Sequence, residues 1–181
     1  AVQKLDIIAK KIRKVRTKDS LEFNSKECKF VMDEEGKPTD VYFKTANDAT
    51  KLIEEFMLLA NRRVGNKLEK SKVDVPWRVH DNPDEDKVAD LFSMAQNLGH
   101  SVSVTGDPKK DINTLMKKIK DTQEETMISQ LAIRCQSKAI YDTGNIGHWG
   151  LGFETYTHFT SPIRRFADLI VHLKLEEILK R

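Results

Sequence analysis

Leu5, Ile8, Ile12 and Val15 recur at helical spacing and predict an opening helix that ends near Lys18. Short β-like runs follow, "LEF" at 21–23, "CKFVMD" at 28–33 and "VYFKTA" at 41–46. The Gly- and Pro-bearing "EEGKPT" between the last two predicts a hairpin, so a small sheet should follow the first helix. Asn47 or Asp48 can cap a long, well-buried helix carrying Leu52, Ile53, Phe56, Met57, Ala60, Val64 and Leu68. After an extended stretch, "VDVPWRVHDN", three more helices are expected. Asn82 and Pro83 open one with Val88, Leu91, Phe92, Ala95 and Leu98, closed by Gly99. Asp107 and Pro108 open the next, with Ile112, Leu115, Met116 and Ile119. Thr122 and Glu125 form a capping-box pair before Ile128, Leu131, Ala132 and Cys135.

The pattern then breaks at "YDTGNIGHWGLGFETYTHFTSP", where glycines, hydroxyls and aromatics follow no helical period, as in a loop or irregular strand. Ser161 and Pro162 next read as the N-cap and first position of a last helix with an apolar stripe at Phe166, Leu169, Ile170, Leu173 and Ile178. That start places Arg164 and Arg165 in the first turn, where the helix dipole disfavours each cation by roughly 0.3–1 kcal/mol. An anion should sit opposite them. The fold class is therefore α+β, predominantly helical, with a small antiparallel sheet near the N-terminus and no linker or repeat dividing the chain.

Charge changes this picture only locally. The 181 residues carry 31 basic and 28 acidic side chains, a net charge of +3. Yet Lys4, Lys10, Lys11, Arg13, Lys14, Arg16 and Lys18 face Asp6 alone in the first helix, which is either a solvated lysine face or a basic arm for an anionic partner. Cys28 and Cys135 lack the spacing of a zinc site and read as reduced thiols of a cytoplasmic protein. No apolar run approaches the roughly 20 residues that span a bilayer, so no membrane is expected as a partner.

Thr155, Thr157, Thr160, Ser161, Arg164 and Arg165 fall within eleven residues at one helix start. Hydroxyls, free backbone N–H groups and two guanidinium forks describe a phosphate site. The alternative is that Ser161 only caps the helix while the arginines pair with carboxylates. Trp149, Phe153, Tyr156 and Phe159 surround the segment, and suit either base stacking or a core. Glu54 and Glu55, with Asn61 beyond, read alone as a solvated helix face, whereas Arg134 lies among apolar neighbours and needs an anionic partner. The five histidines show no metal spacing, and no dense aspartate cluster, Walker loop, nucleophile elbow or zinc box is present.

The stretch "GLGFETYTHFTSPIRRFADLIVHLKLEEIL" resembles the signature of the ribonuclease II and ribonuclease R family, the RNB domain. The segments "LIEEFMLLANRRVG", "WRVHDNPDEDK" and "AIRCQSKAIYDTGNIGHWGLGFE" are each similar to successive family segments in the same order, and "IIAKKIRKVRTKDSLEF" fits the helix before the family's sheet. The chain departs at Phe166, where the family usually has tyrosine, and at Leu173, where arginine commonly follows the histidine.

The resemblance implies an incomplete RNB domain, its C-terminal portion over residues 1–181, in which the magnesium-binding aspartates and the OB-type RNA-binding domains lie outside these residues. It implies processive 3′-to-5′ hydrolysis of single-stranded RNA to nucleoside 5′-monophosphates by the whole magnesium-dependent enzyme, with the fragment alone inactive. Arg134 would stabilise charge on the scissile phosphate and Glu154 would lie with Tyr156 near the terminal nucleotide. Ser161, Arg164 and Arg165 would hold neighbouring phosphates, His158 and Thr160 would complete the RNA-binding set, Phe23 would stack on a base, and Glu55 and Asn61 would order the site. No metal ligand is expected among these residues, and an exposed cut face could drive self-association. A non-catalytic RNA-binding module on the same fold is the alternative, and a purely helical interaction domain a third reading.

Overall fold

In the computed structural model, residues 1–23, 27–44 and 47–180 are described. Among them the chain forms helix α1 (Val2–Arg16), a hairpin of β1 (Glu27–Met32) and β2 (Pro38–Lys44), and the long helix α2 (Asp48–Lys70). Strand β3 (Trp77–Val79), helices α3 (Glu85–Asn97), α4 (Pro108–Lys118) and α5 (Glu125–Arg134), strand β4 (Ile140–Asp142) and helix α6 (Phe166–Leu179) follow. This is the expected α+β class, with the antiparallel hairpin near the N-terminus.

Helices α3, α4 and α5 enclose one apolar core, in which Leu91, Ala95, Ile112, Leu115, Ile119, Ile128 and Ala132 are all buried. Asp107 caps α4 by accepting from the Lys109 and Lys110 amides, as expected of an aspartate ahead of Pro108. Gly99 ends α3 at φ +86°, a left-handed conformation that suits glycine. Two helix starts move. Asp84, not Asn82, caps α3, because its carboxylate accepts from the Asp86 and Lys87 amides. The capping box fails at α5: Glu125 is the first helical residue, its carboxylate takes the Asp121 amide, and Thr122 donates to the Ile119 carbonyl.

A second core gathers Leu68, Val75, Trp77, Val79 and Val171 between α2, β3 and α6. Here β3 pairs antiparallel with β4, Trp77 opposite Asp142 and Arg78 opposite Tyr141, while an isolated bridge joins Trp77 to Thr157 on the other side. The sequence pattern missed this small sheet, since strands of three residues are too short to show alternation.

Three apolar stripes do not lie where periodicity placed them. In α1 only Ala9 is fully buried, and Leu5, Ile8 and Val15 stay exposed. In α2 the buried positions are Glu55, Asn61, Gly65 and Leu68, with Ile53 outside. In α6 the face carrying Asp168 and Val171 turns inward and Phe166, Leu169 and Leu173 face out. "LEF" is not a strand: the Leu21 amide bonds the Gly150 carbonyl, and Leu21 and Phe23 pack against the helical core. In the hairpin Phe30 lies opposite Val41 and Cys28 opposite Phe43, and this apolar face is uncovered. Thr45 and Ala46 of the predicted run "VYFKTA" lie outside the described residues. No helix among the described residues is long and apolar enough to cross a membrane.

Candidate functional site

Asn61, buried on α2, ties the segment before α6 to the second core. Its amide donates to the Tyr156 hydroxyl at 3.0 Å and its carbonyl oxygen accepts the Phe159 amide at 2.9 Å. The Arg78 amide donates to the Tyr156 carbonyl at 3.0 Å, and the Thr157 hydroxyl donates to the Pro76 carbonyl at 2.8 Å. Thr155 donates to the Glu69 carboxylate. Residues 155–159 thus run as an edge beside β3, with Thr157 turned into the core and Tyr156 and His158 on the other face.

The helix expected at Pro162 begins four residues later. Ser161 to Arg165 form a turn in which the Arg164 and Arg165 amides both bond the Ser161 carbonyl, and Arg165 is the N-cap of α6. The reason is Asp168. Fully buried in the first turn, its Oδ1 accepts the Ser161 amide at 2.7 Å and the Arg165 Nη2 at 2.8 Å. Asp168 is the anion expected opposite the arginine pair, though it answers only one of them, and it occupies the Ser161 amide that a phosphate would have used. Arg164 is exposed and has no partner among the described residues. Thr160 Oγ1, Arg165 Nε and Asp168 Oδ2 are buried there without hydrogen-bond partners.

Around this turn stands a ladder of rings. Tyr156 meets both His148 and His158 edge-on, His148 meets His80, and His158 meets Tyr141. Burial, with help from Arg165, Arg78 and Arg164, lowers the His158 pKa to about 4, and burial with the neighbouring His80 lowers that of His148 to about 3. Both are neutral at neutral pH. His80 accepts the Gly150 amide at Nδ1 and bonds the Ser137 carbonyl at Nε2, so it works as a structural clamp. A β-carbon on Gly150 would meet that Nδ1 at 2.8 Å, which explains the glycine.

The other predicted residues lie apart from the turn. Glu55 is not a solvated carboxylate: it is 1% exposed and pairs with Arg16 at 2.6 Å, whose Nη1 also donates to Ser20. Glu154 lines an open cleft of about 300 Å³ with Asp19, His80, Asp81 and Lys109. Phe23 is half-buried against the helical core. Arg134 ends α5 on the helical lobe, exposed, beside a groove walled by Leu91, Met94, Leu131 and Cys135, so it has apolar neighbours but no ion pair among the described residues. Arg78, Tyr141 and Asp168 were not singled out from the sequence. An arginine between Trp77 and Val79, and an aspartate three residues after Arg165, were the available signals. Among the described residues no three His, Cys, Asp or Glu side chains gather closely enough to hold a metal ion.

The RNB domain model matches residues 1–181, and the chain belongs to that family. Its relatives carry the name ribonuclease R. The chain is 40% identical over 152 residues to Ribonuclease R 2 of Lactococcus lactis, covering 84% of this chain and 23% of that protein. It superposes with a TM-score of 0.89 and 29% identity on Mycoplasma genitalium RNase R in complex with ribose-methylated single-stranded RNA, covering 96% of this chain and 28% of that one. Yeast Ssd1, a pseudonuclease, shares the fold at a TM-score of 0.70 and 22% identity, over 96% of this chain and 22% of that one. The chain therefore spans about a quarter of the length of the proteins it matches.

Proposed function

We propose that this chain is the part of a cytoplasmic 3′-to-5′ exoribonuclease that grips single-stranded RNA, within a whole enzyme that processively releases nucleoside 5′-monophosphates. The observation that carries the reading is the unpaired Arg164 guanidinium, projected from a turn that Asp168 and Arg165 hold in place, in a chain matched along its length by the RNB family. An exposed fork with no carboxylate partner among the described residues is free to bind phosphate oxygens in a bidentate way. Arg165, already bonded to Asp168, shapes the turn and adds positive potential. Asn61 holds α2 against the site while Glu55 ties α2 to α1 through Arg16, Tyr156 and His158 line the site, and Ser161 and Thr160 belong to the turn itself. Roles for Arg134, Glu154 and Phe23 at the reacting nucleotide rest on the resemblance alone.

Among the described residues these side chains do not by themselves fit a magnesium site. Its ligands are assigned, as part of the proposal, to portions of the protein outside this chain. The uncovered apolar faces of α1, the hairpin and α6 support packing against such portions, or self-association of the isolated chain.

The test compares two substitutions in the whole protein. Arg164→Lys should weaken RNA binding and lower the slope of log affinity against log salt by about 1, while turnover at saturating RNA stays nearly intact. Arg134→Lys should lower turnover more than binding. If both reduce affinity equally with turnover unchanged, the division between a phosphate-holding and a catalytic arginine is wrong. A whole protein that binds RNA but releases no mononucleotide with magnesium present would instead favour the non-catalytic module, a fold precedent for which exists in the pseudonuclease.

A further inference from the structure

Trp77 and Val79 are buried, so Arg78 between them projects from the opposite face of β3. Tyr141 lies across from it on β4, and on its other side the Arg78 amide meets the Tyr156 carbonyl of the edge segment. The Arg78 guanidinium sits over the Tyr141 ring, 5.0 Å from its centre, and the Tyr141 hydroxyl is hydrogen-bonded to His158 Nδ1 at 2.6 Å. The ring under the guanidinium is thus fixed from both sides of β3. Tyr141 is exposed and Arg78 half-buried, so the site is open to a ligand.

The Arg78 side chain has no hydrogen bond or ion pair among the described residues. The Tyr141 ring takes the flat face of the guanidinium and leaves the N–H donors around its rim free, and those donors are what an oxyanion binds. Charge is also unbalanced here. The guanidiniums of Arg165, Arg78 and Arg164 all act on His158, opposed by the Asp168 carboxylate. Asp168 answers Arg165. Arg78 and Arg164 are left over, two cations gathered round an imidazole that is itself neutral at neutral pH. Like charges repel, so the gathering is stabilised by an anion from outside. A strand of phosphates, with one charge at every nucleotide, can answer two separate forks at once.

We propose that Arg78 is a second phosphate-holding residue, whose guanidinium, carried on the Tyr141 ring, binds a phosphodiester of the same RNA strand that Arg164 grips. This rests on the RNA-gripping reading above and extends the grip from the arginine turn onto the outer face of the small sheet. Tyr141 is a positioning residue: it acts through Arg78 by holding the flat face of the guanidinium, so its ring matters more than its hydroxyl.

The experiment measures fluorescence anisotropy of an end-labelled oligouridine with the whole protein over a series of salt concentrations, each variant being checked by its melting curve. Arg78→Gln should weaken RNA binding about tenfold and lower the slope of log affinity against log salt by about 1. Arg78→Lys keeps the charge and loses the fork, so it should weaken binding about threefold with the slope kept. Tyr141→Leu removes the platform but no charge, and should also cost about threefold at an unchanged slope; Tyr141→Phe, which keeps the ring, should recover most of that loss. Wild-type affinity in Arg78→Gln overturns the assignment, and so does a loss of affinity in that variant with the slope unchanged, which would mark a structural role. If Arg78→Gln melts early, Arg78→Lys decides, and unaltered affinity there overturns the assignment. Intact RNA binding in Arg78→Gln together with lost binding of labelled polyglutamate would make the site one for acidic protein and overturn it too. A Tyr141→Phe variant no better than Tyr141→Leu overturns the positioning role of the ring. Should Arg164→Lys behave as expected while Arg78→Gln does not, the RNA-gripping reading stands and this inference falls; wild type that binds no RNA overturns both.

Discussion

The core between α3, α4 and α5 is dry, its one buried carboxylate neighbour among the described residues, Asp111, being answered locally by Thr105, whereas the one between α2, β3 and α6 is bordered by buried Glu55, Asn61, Thr155, Thr157 and Asp168. The dry core is assembled from neighbours in sequence: every one of its fully buried members lies between Val88 and Cys135. Its helices need only their own periodicity and caps. The polar border is assembled from distant pairs, Arg16 with Glu55, Asn61 with Tyr156 and Phe159, and Thr157 with Pro76. Buried polar groups destabilise unless each finds its partner, so such a border fixes one geometry at the expense of raw stability. The arginine turn and the edge from Tyr156 to Phe159 hang on it.

The comparison breaks most sharply at Glu55. Glu55→Ala would leave the Arg16 guanidinium, 9% exposed, with only the looser, more exposed Glu22 carboxylate at 3.5 Å, and should cost about 3 kcal/mol in urea unfolding. The double change Arg16→Met with Glu55→Leu should recover most of that loss, because two apolar side chains leave no unpaired charge. If the single variant costs less than about 1 kcal/mol, the pair is not isolated from water as described.

Ile112→Ala is the counterpart in the dry core. Ile112 is 0% exposed, and its loss should cost about 3 kcal/mol through lost burial and the cavity left behind. RNA affinity at temperatures where the variant stays folded should not change. A matching loss of RNA affinity would show that the two cores are not separable.

How much of this was legible in the sequence follows the same division. Val88, Leu91, Phe92 and Ala95, then Ile112, Leu115 and Ile119, read correctly because local spacing and caps decide a dry helical core. Glu55 read as solvated because nothing near it in sequence announces Arg16, thirty-nine positions earlier. Ser161-Pro162 read as a helix start on strong local grounds, and lost to Asp168, whose side chain takes the Ser161 amide and delays the helix to Phe166. The stripe Phe166, Leu169 and Leu173 was read as core because apolar spacing says which residues share a face, not whether the chain supplies a cover. The family resemblance and the arginine turn were visible as motifs; the tyrosine and arginine beside them were not, since only the pairing of β3 with β4 brings Arg78 and Tyr141 together.

Between pH 6.5 and 5, above the range of the lowered carboxylates of the helical lobe, acid should act on the polar side. His148 and His158 have pKa values of about 3 and about 4 in the fold, against roughly 6.5 when unfolded. Below pH 6.5 the unfolded chain takes up protons that the folded one refuses, so stability present at neutral pH is lost progressively as pH falls toward those values. With partial exposure discounted, the loss by pH 5 should be on the order of 2 kcal/mol for the pair. His148→Gln with His158→Gln should flatten that stretch of the stability curve. An unchanged slope between pH 6.5 and 5 would mean that both rings take protons freely in the folded protein.

The smallest expected effect is the most pointed, because it falls where the polar border meets the proposed RNA face. Asn61→Ala removes the acceptor of the Phe159 amide and the donor to the Tyr156 hydroxyl, yet it deletes no charge and opens only a small space. Leaving two polar groups without partners should cost about 1–2 kcal/mol, less than either core variant, because water can reach the half-buried Phe159 amide. Its effect on binding should exceed its effect on stability in kind: the edge from Tyr156 to Phe159 is held to α2 by these two bonds, and His158 lies between their attachment points. RNA affinity should therefore fall at temperatures well below melting, where Ile112→Ala binds normally. Asn61→Asp tests the same joint differently, since it keeps the acceptor for Phe159, turns the Tyr156 hydroxyl from acceptor to donor, and adds a charge at a buried position. If Asn61→Ala and Asn61→Asp both unfold more easily but bind RNA as wild type does, the polar border stabilises the fold without positioning the face, and the link drawn here between buried polarity and the RNA grip would fail.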